Sequence, residues 1–286
     1  MLVERIVTYG RMIKFSHSVF ALPFAFSGAA LAALEGDISL VQVFWIAVAM
    51  VGARSAAMGF NRLVDRDMDA ANPRTAAREL PRGRISPGAV RALIAVSSAA
   101  LILAAWRLNP LCFALSPVAL GIVLFYSYTK RFTWATQFFL GLALSVAPIG
   151  AWIAVTGSLD PAILLLAGAV LAWVSGFDII YACQDVAFDR GHGIYSIPQR
   201  FGVPRGLVIA RVLHAVSFLL MCAVGVRFGM GVIYAAGLVA VAGLMLYEHS
   251  LVKPDDFSKL GVAFMNVNAA ISSVYFAFTL GDVLWR

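Results

Sequence analysis

The chain has 286 residues, of which 61% are hydrophobic and only 13% are charged. Its mean hydropathy of +0.86 excludes an ordinary soluble domain, in which roughly 25% of residues are charged. The net charge of +7 could suggest a nucleic-acid partner. Most of the basic residues lie in segments between apolar runs, however, and this pattern is typical of membrane topology.

A helix that spans a membrane needs about 20 mainly apolar residues, and the chain contains nine such stretches. The alternation typical of barrel strands is absent, so we predict an all-α polytopic membrane bundle of nine transmembrane helices. In chain order the predicted spans are residues 15–34, 40–60, 88–106, 111–128, 134–155, 162–181, 206–226, 232–249 and 262–280.

The distribution of basic residues predicts the orientation of this bundle. With the N-terminus inside, most of the 22 Lys and Arg fall in inner segments, and only Arg107, Arg227 and Arg286 fall in outer segments. We therefore expect a bacterial-type inner (plasma) membrane protein with a cytoplasmic N-terminus and an external C-terminus. The three cysteines show neither metal-like spacing nor a disulfide framework.

Two matched polar patterns each follow an apolar run and open a long inner loop. In each pattern polar side chains recur at i, i+4 and i+8, which places them on one face of a helix. The first pattern is Asn61, Asp65 and Asp69, and the second is Tyr181, Asp185 and Asp189, with Asp178 just before it. This repeat predicts a single domain, 1–286, made of two related halves at roughly 1–130 and 131–286.

The aspartates predict a metal site. Mg²⁺ prefers oxygen ligands and commonly bridges carboxylates to substrate phosphates. The predicted ligands are Asn61, Asp65, Asp69, Asp185 and Asp189, whereas Asp67 lies off their shared face. The alternative is that these side chains belong to ordinary solvated helix ends. Two matched sets favour the metal, because the negative end of a helix dipole disfavours carboxylates.

Basic residues on the same predicted face of the membrane could bind a diphosphate. Metal bridges and Arg or Lys side chains together satisfy its oxygens. The candidates are Arg11, Lys14, Arg74, Arg78, Lys130 and Arg131. For most basic residues taken singly, the positive-inside bias is a sufficient explanation.

Arg54 differs from these residues because it lies inside an apolar run, about two turns before Asn61. Burying an unpaired Arg in a membrane costs roughly 2.5–3.5 kcal/mol, so an intramembrane Arg indicates function. Arg54 could bind an acidic or phenolic group of a substrate, or it could form a structural ion pair. His17 is a weaker candidate.

With these motifs in place, the chain resembles the UbiA family of membrane prenyltransferases over nearly its whole length. The motifs that carry the resemblance are Asn61-x3-Asp65-x3-Asp69, the loop 72–86, the segment 126–131, and Asp178 with Asp185-x3-Asp189. The resemblance implies cytoplasmic loops that cap a central cavity, two Mg²⁺ ions and a prenyl diphosphate on Lys130. It also implies an aromatic acceptor near Arg54, where we place Tyr126 and Tyr181.

Two departures from the family pattern bear on the acceptor. Glu79 stands where many members have Pro, and the segment 14–24 differs from the first helix of ubiquinone-pathway enzymes. Both features resemble the branch linked to menaquinone made through futalosine. We therefore expect Mg-dependent transfer of a polyprenyl group to 4-hydroxybenzoate or 1,4-dihydroxy-6-naphthoate in quinone biosynthesis, with Asp65, Asp178 and Asp185 as catalytic residues.

Two other functions would also use membrane carboxylates. An ion-coupled secondary transporter would suit Arg54 and the internal repeat, but transporter sites lie near the bilayer midplane. A CDP-alcohol phosphotransferase also uses aspartates and Mg²⁺, but its aspartates form one Gly-containing block that this chain lacks. The prenyl chain length, the proton-accepting base, the oligomeric state and the role of Glu79 stay open.

Overall fold

The computed structural model describes residues 8–14, 18 and 20–286. Within them the regular structure is helical and no strand occurs, apart from an isolated bridge between Lys253 and Asp256. From residue 20 onward the α-helices of the described chain are, in order, α1 (Leu22–Ala32), α2 (Leu40–Val64), α3 (Arg66–Ala71), α4 (Pro87–Leu108), α5 (Pro110–Thr129), α6 (Thr136–Thr156), α7 (Ile163–Ala182), α8 (Val186–Gly191), α9 (Ile197–Phe201), α10 (Val203–Arg227), α11 (Val232–Leu251) and α12 (Asn268–Trp285).

Eight long helical segments of the described chain are apolar enough to cross a membrane, and they confirm the prediction of a polytopic bundle. The segment Ile163–Gly191 runs through α7 and α8, and the segment Val262–Trp285 includes a π-helical turn before α12. The first predicted span, 15–34, is not among these eight segments, and the helix described within it is the shorter α1, Leu22–Ala32. Residues 15–17, and with them His17, lie outside the described residues.

Short polar signals set the starts of several spans. Ser39 caps α2 in a reciprocal capping box with Gln42. Ser86 and Asn109 cap α4 and α5, and a proline follows each of them at the first helical position. These signals explain why the helices begin where they do although their apolar runs have soft edges.

Close backbone approach holds the bundle together, as expected where lipid supplies no hydrophobic force between helices. A side chain on Gly28 of α1 would lie 2.5 Å from the carbonyl oxygen of Pro148 in α6. A side chain on Gly141 of α6 would meet the carbonyl oxygen of Leu171 in α7 at the same distance. Glycine is therefore required at both contacts.

Helix α7 is the most buried span, and the largest core cluster surrounds it. This helix packs on α6 and on α10, while α1 bridges α6 and α12. Trp152 and Trp173, which are fully buried, occupy the centre of the cluster. Helices α2, α4 and α5 pack together on the other side of α6. The resulting bundle leaves a cavity at the end of the helices that carries both aspartate motifs.

Candidate active site

The two aspartate motifs lie at equivalent breaks between a long helix and a short one. Helix α2 ends at Val64, and Asp65 forms the turn into α3, whose first turn contains Asp69. Helix α7 ends before a 3-10 turn that contains Asp185, and the first turn of α8 contains Asp189. The spacing predicted that each set lies on one continuous helix. That prediction is wrong, because a break separates the long helix from the short one in both sets. At the start of a helix the dipole favours carboxylates, which reduces the penalty expected at a helix end.

Both motifs line one cavity with a volume of about 320 Å³. We call Asn61, Asp65 and Asp69 the first aspartate set, and Asp185 and Asp189 the second aspartate set. Of the other predicted site residues, those that line the same cavity are Lys14, Arg54, Arg74, Arg78, Tyr126, Lys130, Asp178 and Tyr181. The structure thus brings together residues more than 100 positions apart in the chain. Arg11 and Arg131 do not line this cavity.

Asp65 is the most heavily bonded carboxylate of the first set. It is buried, and it accepts hydrogen bonds from Lys130 Nζ at 2.5 Å and from Arg131 Nη2 at 3.1 Å. Asn61 Nδ2 donates to its Oδ2 at 3.0 Å. Arg131 also donates to the carbonyl of Val64, so it fixes the end of α2 from behind the cavity. Arg131 is therefore placed to hold Asp65, and Lys130 is placed at the cavity surface.

The loop after α3 connects the two sets, because one of its arginines contacts the first set and another contacts the second set. Arg78 Nη1 lies 2.6 Å from Asp69 Oδ1. Arg74 binds both carboxylate oxygens of Asp185, at 2.9 and 2.6 Å, and its Nη1 donates to the hydroxyl of Tyr181 at 2.8 Å. Burial alone would lower the pKa of Arg74, but the bonds to Asp185 and Tyr181 raise it above its ordinary value. Arg74 therefore stays charged at any physiological pH.

Asp189 and the connection between α5 and α6 complete the second side of the cavity. Ser196 Oγ donates to Asp189 Oδ2 at 3.3 Å. The backbone N–H of Tyr195 donates to the carbonyl of Lys130, and the N–H of Ile197 donates to Gln137 Oε1. These bonds fasten the loop after α8 to the helix end that carries Lys130.

The described residues contain no ready-made group of three or more acidic, His or Cys side chains that could hold a metal. Ion pairs explain why the carboxylates do not form such a group, because the basic side chains beside them are Lys130, Arg74 and Arg78. One buried carboxylate oxygen of the site, Asp69 Oδ2, has no hydrogen-bond donor among the described residues, although Arg62 Nη1 lies 3.9 Å from it. Carboxylate and amide oxygens around one cavity, with a buried oxygen still unsatisfied, fit a hard divalent cation.

Arg54 contacts a backbone carbonyl and no carboxylate. Its Nη2 donates to the carbonyl of Lys14 at 3.3 Å, and its buried Nε has no hydrogen-bond partner within the part of the chain that the structure describes. The structural ion pair considered for it is therefore absent from the described residues. Lys14 has a left-handed backbone with φ +51°, and this conformation directs its carbonyl toward Arg54. Burial lowers the pKa of Lys14, and the nearby charges of Arg62 and Arg78 lower it further.

Sequence reasoning missed two residues of the site. Arg62 is buried, lines the cavity and donates through Nε to the carbonyl of Met12, which anchors the N-terminal segment on α2. Asn72 accepts the N–H of Arg74 and orients that arginine toward Asp185. The signals were present, since Arg62 lies within the first motif and Asn72 precedes a proline.

A helical membrane bundle with carboxylates, arginines and lysine around one cavity is typical of a membrane enzyme for an anionic substrate. The sequence profile of the UbiA prenyltransferase family matches residues 21–270. The chain therefore belongs to the UbiA prenyltransferase family, and it is a membrane prenyltransferase.

Individual relatives agree with this assignment. The 4-hydroxybenzoate octaprenyltransferase of Nitrosospira multiformis is 32% identical over 100% of this chain and 98% of its own length. A UbiA homologue from Aeropyrum pernix, solved in its apo form, is 33% identical and has a TM-score of 0.84, covering 93% of this chain and 98% of that one. A UbiA homologue from Archaeoglobus fulgidus bound to DMAPP and Mg²⁺ is 17% identical, with a TM-score of 0.75 over 98% of this chain and 100% of that one, and it shares the fold.

Proposed function

We propose that the protein transfers a polyprenyl group from a prenyl diphosphate to a hydroxylated aromatic acid, either 4-hydroxybenzoate or 1,4-dihydroxy-6-naphthoate. The observation that carries the proposal is that both aspartate sets and Arg54 line the same cavity. The activity named for the relatives supports the aromatic acid as acceptor. The DMAPP and Mg²⁺ bound to the archaeal homologue support the donor and the metal.

In this proposal the oxygens of the two aspartate sets would hold the Mg²⁺ ions that bind the diphosphate. When bound, the ions neutralise the charge that develops on the departing diphosphate. Because Arg74, Arg78 and Lys130 already lie at the carboxylates, they need move only a short distance to bind the diphosphate oxygens. The same side chains would then satisfy the carboxylates in one state and the substrate in the other.

The transfer replaces a carbon–oxygen bond by a carbon–carbon bond. The allylic C–O bond breaks and its electron pair leaves with the diphosphate, after which a ring carbon of the acceptor attacks the allylic carbon. The ring proton then passes to a base, which is Asp178 or the released diphosphate. Apolar cavity walls, including Leu140, Leu144 and Phe177, would exclude water from the carbocation.

Arg54 and Tyr126 are the residues that we assign to the acceptor. The buried Nε of Arg54, which has no hydrogen-bond partner among the described residues, offers a donor for a carboxylate or phenolate. From the sequence we also place Tyr181 near the acceptor, but its hydroxyl accepts a hydrogen bond from Arg74. That contact favours a place for Tyr181 beside the diphosphate, at the boundary with the acceptor.

The positive-inside bias supports a cytoplasmic position for the cavity, in a bacterial-type inner membrane. Water-soluble substrates would then reach the site from the cytoplasm, while the prenyl chain and the product stay in the lipid. We propose that the protein acts as a single domain, 1–286.

The test is to incubate purified protein with Mg²⁺, one long prenyl diphosphate and a panel of aromatic acids, and to identify products by mass spectrometry. We expect a prenylated product from one of the two named acids, and no product when EDTA replaces Mg²⁺. The Asp185→Asn variant is the matched control. Failure to release diphosphate with any acceptor would contradict the proposal and would favour the transporter alternative.

A further inference from the structure

A buried polar cluster lies in the bundle away from the aspartate sets. It consists of His214 on α10, Glu248 on α11 and Asn268 at the start of α12, and each is 2% exposed or less. Buried ionisable residues in a membrane bundle are costly and usually mark function. None of the three lines the cavity, so the proposed reaction does not use them directly.

Asn268 fastens a π-helical turn. Its Nδ2 donates to Glu248 Oε1 at 2.6 Å and also approaches the carbonyl oxygens of Ala263 and Phe264 at 3.1 and 3.3 Å. These two carbonyls belong to the π-helical turn Val262–Val267. A π-turn disrupts the regular ladder of helical hydrogen bonds, so its carbonyls need other donors. The side chain of Asn268 supplies one, and Glu248 holds that side chain in place.

The π-turn determines which way Phe264 points. One extra residue in a helix of 3.6 residues per turn rotates the preceding side chains by about 100° relative to the following ones. With the turn in place, the ring of Phe264 lines the cavity and stacks on Tyr181, with ring centroids 4.1 Å apart and planes 30° apart. A regular helix through 262–267 would turn this ring away from Tyr181.

The contact of Phe264 with Tyr181 connects the buried cluster to the second aspartate set. The hydroxyl of Tyr181 accepts from Arg74, which binds both oxygens of Asp185. The aromatic pair therefore lies immediately beside the place where the diphosphate is expected. If the diphosphate binds there as proposed, the first isoprene units would lie next to these rings, and aromatic faces also stabilise positive charge.

We propose that Glu248 and Asn268 are positioning residues that hold the π-turn and so set Phe264 as a wall for the allylic end of the prenyl diphosphate. The inference rests on the proposed function, because it assigns the donor substrate to that side of the cavity. Neither residue touches substrate, so their loss should weaken binding of the donor more than it slows the chemical step.

The test compares steady-state kinetics of wild type, Asn268→Leu and Glu248→Leu, varying each substrate in turn. We expect the KM for the prenyl diphosphate to rise about tenfold, which is the scale of one lost aromatic contact, while kcat and the acceptor KM stay within about twofold. Glu248→Gln keeps a carbonyl oxygen for Asn268 and should restore a wild-type KM. Phe264→Leu should reproduce the KM effect, and the double variant Phe264→Leu/Asn268→Leu should add nothing further.

Tyr234→Phe is the matched structural control. It removes a buried hydrogen bond to the carbonyl of Met221, away from the cavity, and should lower Tm without changing either KM. An unchanged donor KM in Asn268→Leu, an equal rise for both substrates, or additive effects in the double variant would overturn the inference. If Asn268→Leu does not accumulate, Glu248→Leu and Phe264→Leu provide the same comparison. Wild type without Mg-dependent transfer would instead overturn the proposed function, and the inference with it.

Discussion

Replacing Arg74 with leucine tests whether the loop arginines occupy the carboxylates in place of metal. Arg74 makes two hydrogen bonds to Asp185, and hydrogen bonds to charged groups contribute roughly 1.5–3 kcal/mol. The Arg74 side chain is 33% exposed, and solvent screening weakens its interaction with Asp185. We therefore take the interaction free energy lost in the variant as about 1.5 kcal/mol, the lower end of that range. Because Mg²⁺ has to compete with Arg74 for Asp185, we expect the variant to bind Mg²⁺ about tenfold more tightly.

The assay is thermal unfolding of the purified protein at increasing MgCl₂ concentration, without prenyl diphosphate. A ligand that binds only the folded state raises stability by RT ln(1 + [L]/Kd), so tighter binding appears as a rise in Tm that begins at lower Mg²⁺. Arg66→Leu is the matched control, since the ion pair of Arg66 in the described structure is with the exposed Asp67, at 4.0 Å. If Mg²⁺ stabilises Arg74→Leu no more than it stabilises wild type, the reasoning is refuted.

Three further changes test other parts of the site and the fold. Asp65→Asn removes the charge shared with Lys130 and should reduce Mg-dependent transfer to background in a product assay, and a variant that retains even a tenth of wild-type activity would contradict the role of Asp65. Arg54→Ala should raise the acceptor KM by tenfold or more and the donor KM by much less, and kinetics that show the reverse would reassign this residue. Gly28→Val would place side-chain atoms against the backbone of Pro148, and we expect a loss of at least about 2 kcal/mol of stability, measured as a lower Tm. Gly150→Ala is the control and should be tolerated, because a Cβ added at Gly150 meets no described atom within 4 Å.

The membrane architecture could be predicted from the sequence because lipid imposes a simple rule on length and polarity. Apolar runs located the long spans, and capping residues such as Ser39 and Asn109 explain their starts. The first predicted span shows the limit of that rule. Within its apolar run the structure describes the helix Leu22–Ala32, while residues 15–17 and 19 lie outside the described residues, and hydropathy alone does not report where a chain becomes helical.

The convergence of the two aspartate sets on one cavity followed from their matched spacing, and their roles as metal ligands stay predictions. Spacing could not predict the ion pairs that now hold them. Whether Arg74 reaches Asp185 depends on the path of a loop between distant helices, and sequence periodicity carries no information about that path. The helix breaks at Asp65 and Asp185 were also missed, because both polar patterns continue across them.

The sequence of the π-turn at Val262–Val267 carried no signal that distinguishes it from a regular helix. Glu248 and Asn268 are distant in sequence from the motifs, and nothing in a single sequence indicates that they meet. Residues that act through packing on another side chain can be recognised only once the packing is known.

The central claim is that both aspartate sets act on one prenyl diphosphate. The most direct measurement is Mg-dependent equilibrium binding of a non-hydrolysable prenyl diphosphate analogue to wild type, Asp65→Asn, Asp185→Asn and the double variant. If one ligand needs both sets, each single variant loses nearly all Mg-dependent binding, and the double variant loses little more. Independent losses that add in the double variant, or wild-type binding in either single variant, would contradict the claim.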